Sequence, residues 1–224
     1  RVEVHALDLD EHGSVDSLAA TLAGRAIDVL LNSAGTMGQG SFATEGLGFG
    51  RFGTSDFDDW GQVFRVNVMG PMKMAEAFVD HVAASEQKKI VALTSVIGSI
   101  TRNTAGSLYA YRASKAALNA VMRSMSIDLR KTHGILAAPL HPGWVRTDMG
   151  GARADIDAVT SVAGIRNVIA AGAGVRTHDG DAVLGRVALR PGLGDEVLLG
   201  AGQPRQPVQH RTRTALGLRW QIDR

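Results

Sequence analysis

The sequence predicts an α/β fold, a doubly wound parallel sheet with helices on both faces. Three observations predict it. Short apolar runs alternate with longer helical stretches along most of the chain. The short runs lack the polar alternation of a half-exposed strand, as expected for strands buried on both faces. Polar or glycine-containing motifs follow several of these runs, where an open α/β sheet binds its ligands.

The elements follow in order. Val2–Leu9 is predicted as a strand. Ser14 is a candidate N-cap for a helix over Val15–Ala23. Ile27–Leu31 is a buried strand ending in Asn32-Ser33-Ala34-Gly35, and a glycine-rich stretch runs on to Gly53. Asp58 is the predicted cap of a long helix, Asp59–Ser85, with Trp60, Val63, Phe64, Asn67 and Val68 close to one face. Lys89–Thr94 is the next strand. A polar loop from Ser95 to Ser107 leads into the helix Tyr109–Lys131. Ile135–Leu140 is a strand broken by His141-Pro142-Gly143, and Asp155–Ala171 a helix. Past Gly180 the pattern decays. Val183–Leu189 and Glu196–Leu199 are strand candidates interrupted by glycine and proline.

Composition bounds the function. The chain has 224 residues, 45% of them hydrophobic, which suits one packed α/β domain. No apolar run reaches the ~20 residues that cross a bilayer. With no cysteine and no clustered ligand residues, no metal site is expected. A cytoplasmic protein is the expectation. The net charge is +2, but residues 203–224 carry five arginines against Asp223, a tail of +4 on a body of −2. The tail reads as solvated or disordered, and nucleic acid is not an expected partner. The chain opens on Arg1 in mid-strand, so it reads as missing an N-terminal portion.

Tyr111 and Lys115 carry the most chemistry. Four residues apart, they share one helix face, with Cβ atoms about 5–6 Å apart. A tyrosine hydroxyl with a pKa near 10 is a poor acid or base at neutral pH, and a nearby ammonium is expected to lower it. Tyr109 is the decoy, because position 113 is alanine. Ser95, with Gly98 three residues on, competes with Thr94 and Ser99 as the polar partner at the strand end. The methionines at 69, 72, 74, 122 and 125 read as core or interface filler.

Taken together, several motifs resemble the classical short-chain dehydrogenase/reductases. They are Asp8-Leu9, Asn32-Ser33-Ala34-Gly35, Asn67, Ser95-Val-Ile-Gly98, Tyr111-x-x-Ser114-Lys115 and Pro142-Gly143-Trp-Val-Arg-Thr147. The stretches 98–119 and 141–151 are similar to the sniffer-type carbonyl reductases and the C-factor-like proteins. The resemblance implies a Rossmann-like sheet, here lacking its first strand, glycine-rich turn and second strand. It implies residues 1–180 as a partial dinucleotide-binding catalytic domain, with 181–224 an unassigned Arg-rich extension. It implies Tyr111 as acid/base and Ser95 as partner of the substrate oxygen. Lys115 would lower the tyrosine pKa and hold the nicotinamide ribose. Asn67 would hold a relay water through a local helix distortion. The cofactor contacts are Asp8, Asn32, Ala34, Gly35, Tyr111, Lys115, Val145 and Thr147, although Asp8 serves equally well as a strand-end cap. The cofactor is NADP(H) or NAD(H), with a slight lean to NADP(H).

The implied reaction interconverts a small apolar carbonyl compound and its alcohol, in a dimer or tetramer built through the two long helices. The alternatives are a C-factor-like signalling or interaction protein on the same scaffold, or a piece inactive for want of the phosphate-binding turn.

Overall fold

The computed structural model describes residues 2–40, 50–172 and 185–186. In chain order the elements are α1 (His12–Thr21), β1 (Val29–Asn32), α2 (Phe57–Phe64), a π-helical segment (Arg65–Met69), α3 (Gly70–Ala83), β2 (Lys89–Leu93), a 3-10 turn (Val96–Gly98), α4 (Tyr109–Thr132), β3 (Leu136–His141), α5 (Ala158–Ala171) and β4 (Gly185–Arg186). The strands form one sheet in the order β1-β2-β3-β4, all parallel. Val29 pairs with Lys89, and Lys89 with Leu136, so the strands run in step and their carboxyl ends lie on one edge.

The two faces of β2 go to different layers, as strand periodicity requires. Ile90 and Ala92 join Phe78, Val82, Leu118 and Met122 in one core under α3 and α4. Val91 joins Leu140, Ile165 and Val168 in a second core under α5. The predicted doubly wound arrangement is therefore present.

Local sequence explains the element ends, with corrections. The helix cap is Asp56, not Asp58: its carboxylate accepts the amides of Asp58 and Asp59. Ser14 does not cap α1. Its hydroxyl instead clasps the backbone of Asp8, accepting from the amide at 3.0 Å and donating to the carbonyl at 2.6 Å. The single helix expected from Asp59 to Ser85 is broken by the π-helical turn at Arg65–Met69.

The predicted strand Val2–Leu9 is overturned. Residues 2–8 have no strand pairing, and Val2 and Val4 are 87% and 90% exposed. A strand exists only as half of a hydrogen-bonded pair. Among the described residues no strand neighbours this run, so its apolar side chains have no sheet face to cover. The segment is tied down otherwise: Glu3 pairs with Arg25, Asp10 with Arg65, and Leu9 sits against the bare Cα of Gly70. Gly185–Arg186 falls inside the predicted strand Val183–Leu189 and extends the sheet beyond residue 180. Glu196–Leu199 and the tail lie outside the described residues.

Candidate active site

The sheet edge gathers three motifs. Asn32 is the last residue of β1, Ser95 follows β2, and β3 ends in His141 and is followed by Pro142-Gly143. Helix α4 crosses this edge with its first turns. Gly98 sets the distance: a Cβ there would fall 2.8 Å from the backbone carbon of Lys115 and 3.0 Å from the amide nitrogen of Ala116. Only a glycine lets the turn after Ser95 press onto α4 at that level. Arg112 fastens the approach from the other side, donating to the carbonyls of Gly106, Ser107 and Ile97. Ser107 and Leu108 hold φ of +57° and +56°, a left-handed backbone that such residues rarely adopt. This bend sends Leu108 into a small apolar cluster with Met37 and Tyr111.

Tyr111, Lys115, Ser95 and Asn67 come together. Tyr111 is 9% exposed, whereas the decoy Tyr109 is 40% exposed. The Ser95 side chain interacts with the Tyr111 hydroxyl. Thr94 is instead bound to Asn119 at 2.6 Å. Lys115 Nζ donates to the Leu93 carbonyl at 3.0 Å and lies 5.7 Å from the centre of the Tyr111 ring. Asn67, fully buried, donates to the Thr36 carbonyl and to Ser114 Oγ, and accepts the Thr36 amide. The helix distortion expected at Asn67 is the π-helical turn, but both side-chain donors and one acceptor position are taken up by these bonds.

The electrostatics differ from the expectation. Burial pushes the Tyr111 hydroxyl up to about 12, only partly offset by its interaction with the Ser95 side chain. Burial also pulls Lys115 down to about 8. Lowering of the tyrosine by its lysine is therefore not in place, because Lys115 Nζ turns toward the Leu93 carbonyl and desolvation dominates both groups.

The cofactor candidates divide. Asn32 is buried, and its Nδ2 has no hydrogen-bond partner. A Cβ on Gly35 would fall 3.3 Å from Asn67 Oδ1 and 3.4 Å from Lys115 Nζ, so its bare Cα leaves room for close approach. Ala34 is exposed beside it. Asp8 is exposed, and its carboxylate accepts the amide of Asp10 in an Asx-type turn; with no strand before it among the described residues, it caps no strand end. Val145 and Thr147 lie in a loop closed on itself. Val145 bridges to Ile156, and Thr147 Oγ1 accepts the Gly150 amide. Met149 of that loop packs against the Tyr111 cluster.

A cavity of about 380 Å³ opens in front of Tyr111. Met37, Trp60, Leu108 and Tyr109 give it apolar walls, and Asp59 a carboxylate. Asp59 and Arg112 were not legible as site residues, since nothing in their spacing marks them. Phe42, Leu47 and Phe49, in the glycine-rich stretch before Gly53, lie outside the described residues.

The sequence profile of the short chain dehydrogenase family matches residues 1–158. The chain belongs to the short-chain dehydrogenase family, a family of oxidoreductases. It is 41% identical over 143 residues to the C-signal protein of Myxococcus xanthus, a match covering 64% of this chain and 80% of that one. It is 34% identical over 145 residues to a Rhodococcus 1-hydroxy-2-glutathionyl-2-methyl-3-butene dehydrogenase, covering 64% of this chain and 58% of that protein. Among solved structures, a Burkholderia multivorans short-chain dehydrogenase/reductase with bound NADP superposes with a TM-score of 0.67 at 31% identity, covering 78% and 71% of the two chains. The carbonyl reductase Sniffer of Drosophila melanogaster gives 0.65 at 31% identity, covering 75% and 69%. The Rossmann-like fold and the likeness to sniffer-type and C-factor-like proteins are thus established. No helix among the described residues is long and apolar enough to cross a membrane.

Proposed function

We propose that this protein is a nicotinamide-dependent oxidoreductase that reduces a small, mainly apolar carbonyl compound, with NADP(H) the favoured cofactor. One observation carries the reading: the buried Tyr111, whose hydroxyl interacts with the Ser95 side chain, lines a cavity with apolar and polar walls, with Lys115 beneath its ring. With its hydroxyl held near 12, Tyr111 is fully protonated at neutral pH. It stands ready as a proton donor to a carbonyl oxygen. Ser95 orients that oxygen and stabilises the charge that develops on it.

The cofactor fits the near end of the site. The unpartnered Nδ2 of Asn32 and the bare Cα of Gly35 support close contact there, and Lys115 supplies a cation for ribose hydroxyls. When bound, the nicotinamide supplies the hydride. The NADP of the Burkholderia structure and the NADPH of a chicken carbonyl reductase, 30% identical to this chain, favour the phosphorylated form. Asn67 holds Thr36 and Ser114 in place; in this reading a relay water belongs to a backbone carbonyl of the π-helical turn.

A second reading, a signalling or interaction protein on the same scaffold, is favoured by the 41% identity to C-signal. Following loss of NADPH absorbance with a panel of aldehydes and ketones, in the full-length protein, separates the two. Turnover supports the reductase. Binding of NADPH without turnover of any member of the panel supports the second reading.

A further inference from the structure

The cavity before Tyr111 is one-sided in charge. Its described lining holds two carboxylates, Asp56 and Asp59, and no lysine, arginine or histidine. Asp56 is engaged as the cap of α2. Asp59 stands three residues later, where an acid commonly reaches back to the amide of the cap residue. Here that bond is not formed. The carboxylate lies over Gly38 instead, where a Cβ would fall 2.1 Å from Oδ2 and 2.8 Å from Oδ1. Gly38 also holds φ of +85°, so both its backbone and its missing side chain suit this seat. Asp59 Oδ1 is buried without a hydrogen-bond partner, and an unmatched carboxylate oxygen is costly to bury.

An aromatic face adjoins it. Trp60, stacked on Phe64 with ring centres 6.5 Å apart, lines the same cavity. Tyr109, edge-on to Phe52, stands beside Tyr111 in the lining. A carboxylate beside an indole is the combination that holds an alkylammonium group, by charge-assisted hydrogen bond and cation–π contact.

We infer that Asp59, with Trp60, determines specificity: the pocket selects carbonyl compounds bearing a protonated amine at the end remote from the carbonyl, and rejects those bearing a carboxylate. The inference rests on the reading of Tyr111, which lines the same cavity, as the proton donor. A space of about 380 Å³ is large enough for one substituted ring.

Three aldehydes of similar size test it with the full-length protein and NADPH: 4-(dimethylaminomethyl)benzaldehyde, 4-isopropylbenzaldehyde and 4-carboxybenzaldehyde. The cationic aldehyde should exceed the neutral one in kcat/KM by about tenfold, the scale of one hydrogen bond to a charged group. The carboxylate should be the poorest of the three. Asp59→Asn should bring the cation-to-neutral ratio close to one. A wild-type enzyme without this preference, or an Asp59→Asn variant that keeps it, overturns the inference while leaving the reductase standing.

Titration with N,N-dimethylbenzylamine, followed by tryptophan fluorescence, gives a readout independent of turnover. The wild type should bind about tenfold more tightly than Asp59→Asn, and Trp60→Phe should lose the signal. Equal affinities overturn the inference. Amine binding that depends on Asp59, with none of the aldehydes reduced, instead overturns the reductase reading and retains the amine site.

Discussion

Asn67 binds both hydrogen-bonding groups of Thr36: its Oδ1 accepts the Thr36 amide at 2.8 Å, and its Nδ2 donates to the Thr36 carbonyl at 2.7 Å. The remaining Nδ2 hydrogen goes to Ser114 Oγ at 3.0 Å, between Tyr111 and Lys115 in the chain. One buried amide thus joins the loop after β1 to α4. Asn67→Asp keeps the acceptor, removes both donors and buries a negative charge. It should lower the unfolding free energy by about 2–4 kcal/mol, read as the shift in urea midpoint. A variant as stable as wild type would mean that this junction is not held by these bonds.

Gly98→Ala tests the seating of Ser95 on α4. The new methyl would meet backbone of Lys115 and Ala116, which cannot swing aside as a flexible side chain can. Overpacking of this kind costs about 1–3 kcal/mol. Because the turn moves Ser95 relative to Tyr111, kcat should fall by at least tenfold while circular dichroism at ambient temperature stays that of a folded protein.

Lys115 predicts a pH signature. Its folded pKa, about 8, lies below the ordinary value of 10.5. Between these values the unfolded chain binds more protons, so this group adds stability as pH rises from about 8 to 10. Below 8 the buried ammonium costs roughly 3 kcal/mol. Lys115→Met removes that dependence. The Tm of the variant minus that of wild type should therefore grow as pH falls from 10 to 8, then level off. A difference that does not change over this range contradicts the assigned burial.

The same group should shape the rate. Tyr111, near 12, keeps its proton throughout the working range, so loss of the catalytic acid does not limit reduction. Lys115 loses its charge through about pH 8. Reduction should be fastest below that value and decline above it, and Lys115→Arg should move the decline to higher pH. The pH profile of kcat/KM, measured for both forms, reads this directly.

Much of the site was legible because its motifs stand at strand ends. Asn32, Ser95 and Pro142-Gly143 share one edge because parallel strands in step must end together. Tyr111 and Lys115 share a helix face because they are four residues apart. The rest was illegible for physical reasons. Val2–Leu9 has strand composition, but a strand is a property of a pair and not of a segment. The distortion at Asn67 was legible only through the family resemblance, because helical periodicity does not encode the long-range bonds of Asn67 to Thr36 and Ser114. Ser14 has the chemistry of a cap, yet its hydroxyl found the backbone of Asp8. The pKa of Tyr111 went up because burial outweighs a lysine whose Nζ turns to the Leu93 carbonyl, and spacing alone carries no information about desolvation.

The central claim is that the Tyr111 hydroxyl is the proton donor. Tyr111→Phe removes one oxygen from a buried ring and leaves the apolar contacts with Met37 and Leu108. Turnover of carbonyl substrates with NADPH, measured in the full-length protein, is the most direct test. The account predicts a loss of at least a hundredfold in kcat, with NADPH affinity and thermal midpoint close to wild type. A folded Tyr111→Phe variant that reduces its substrate at the wild-type rate would contradict it.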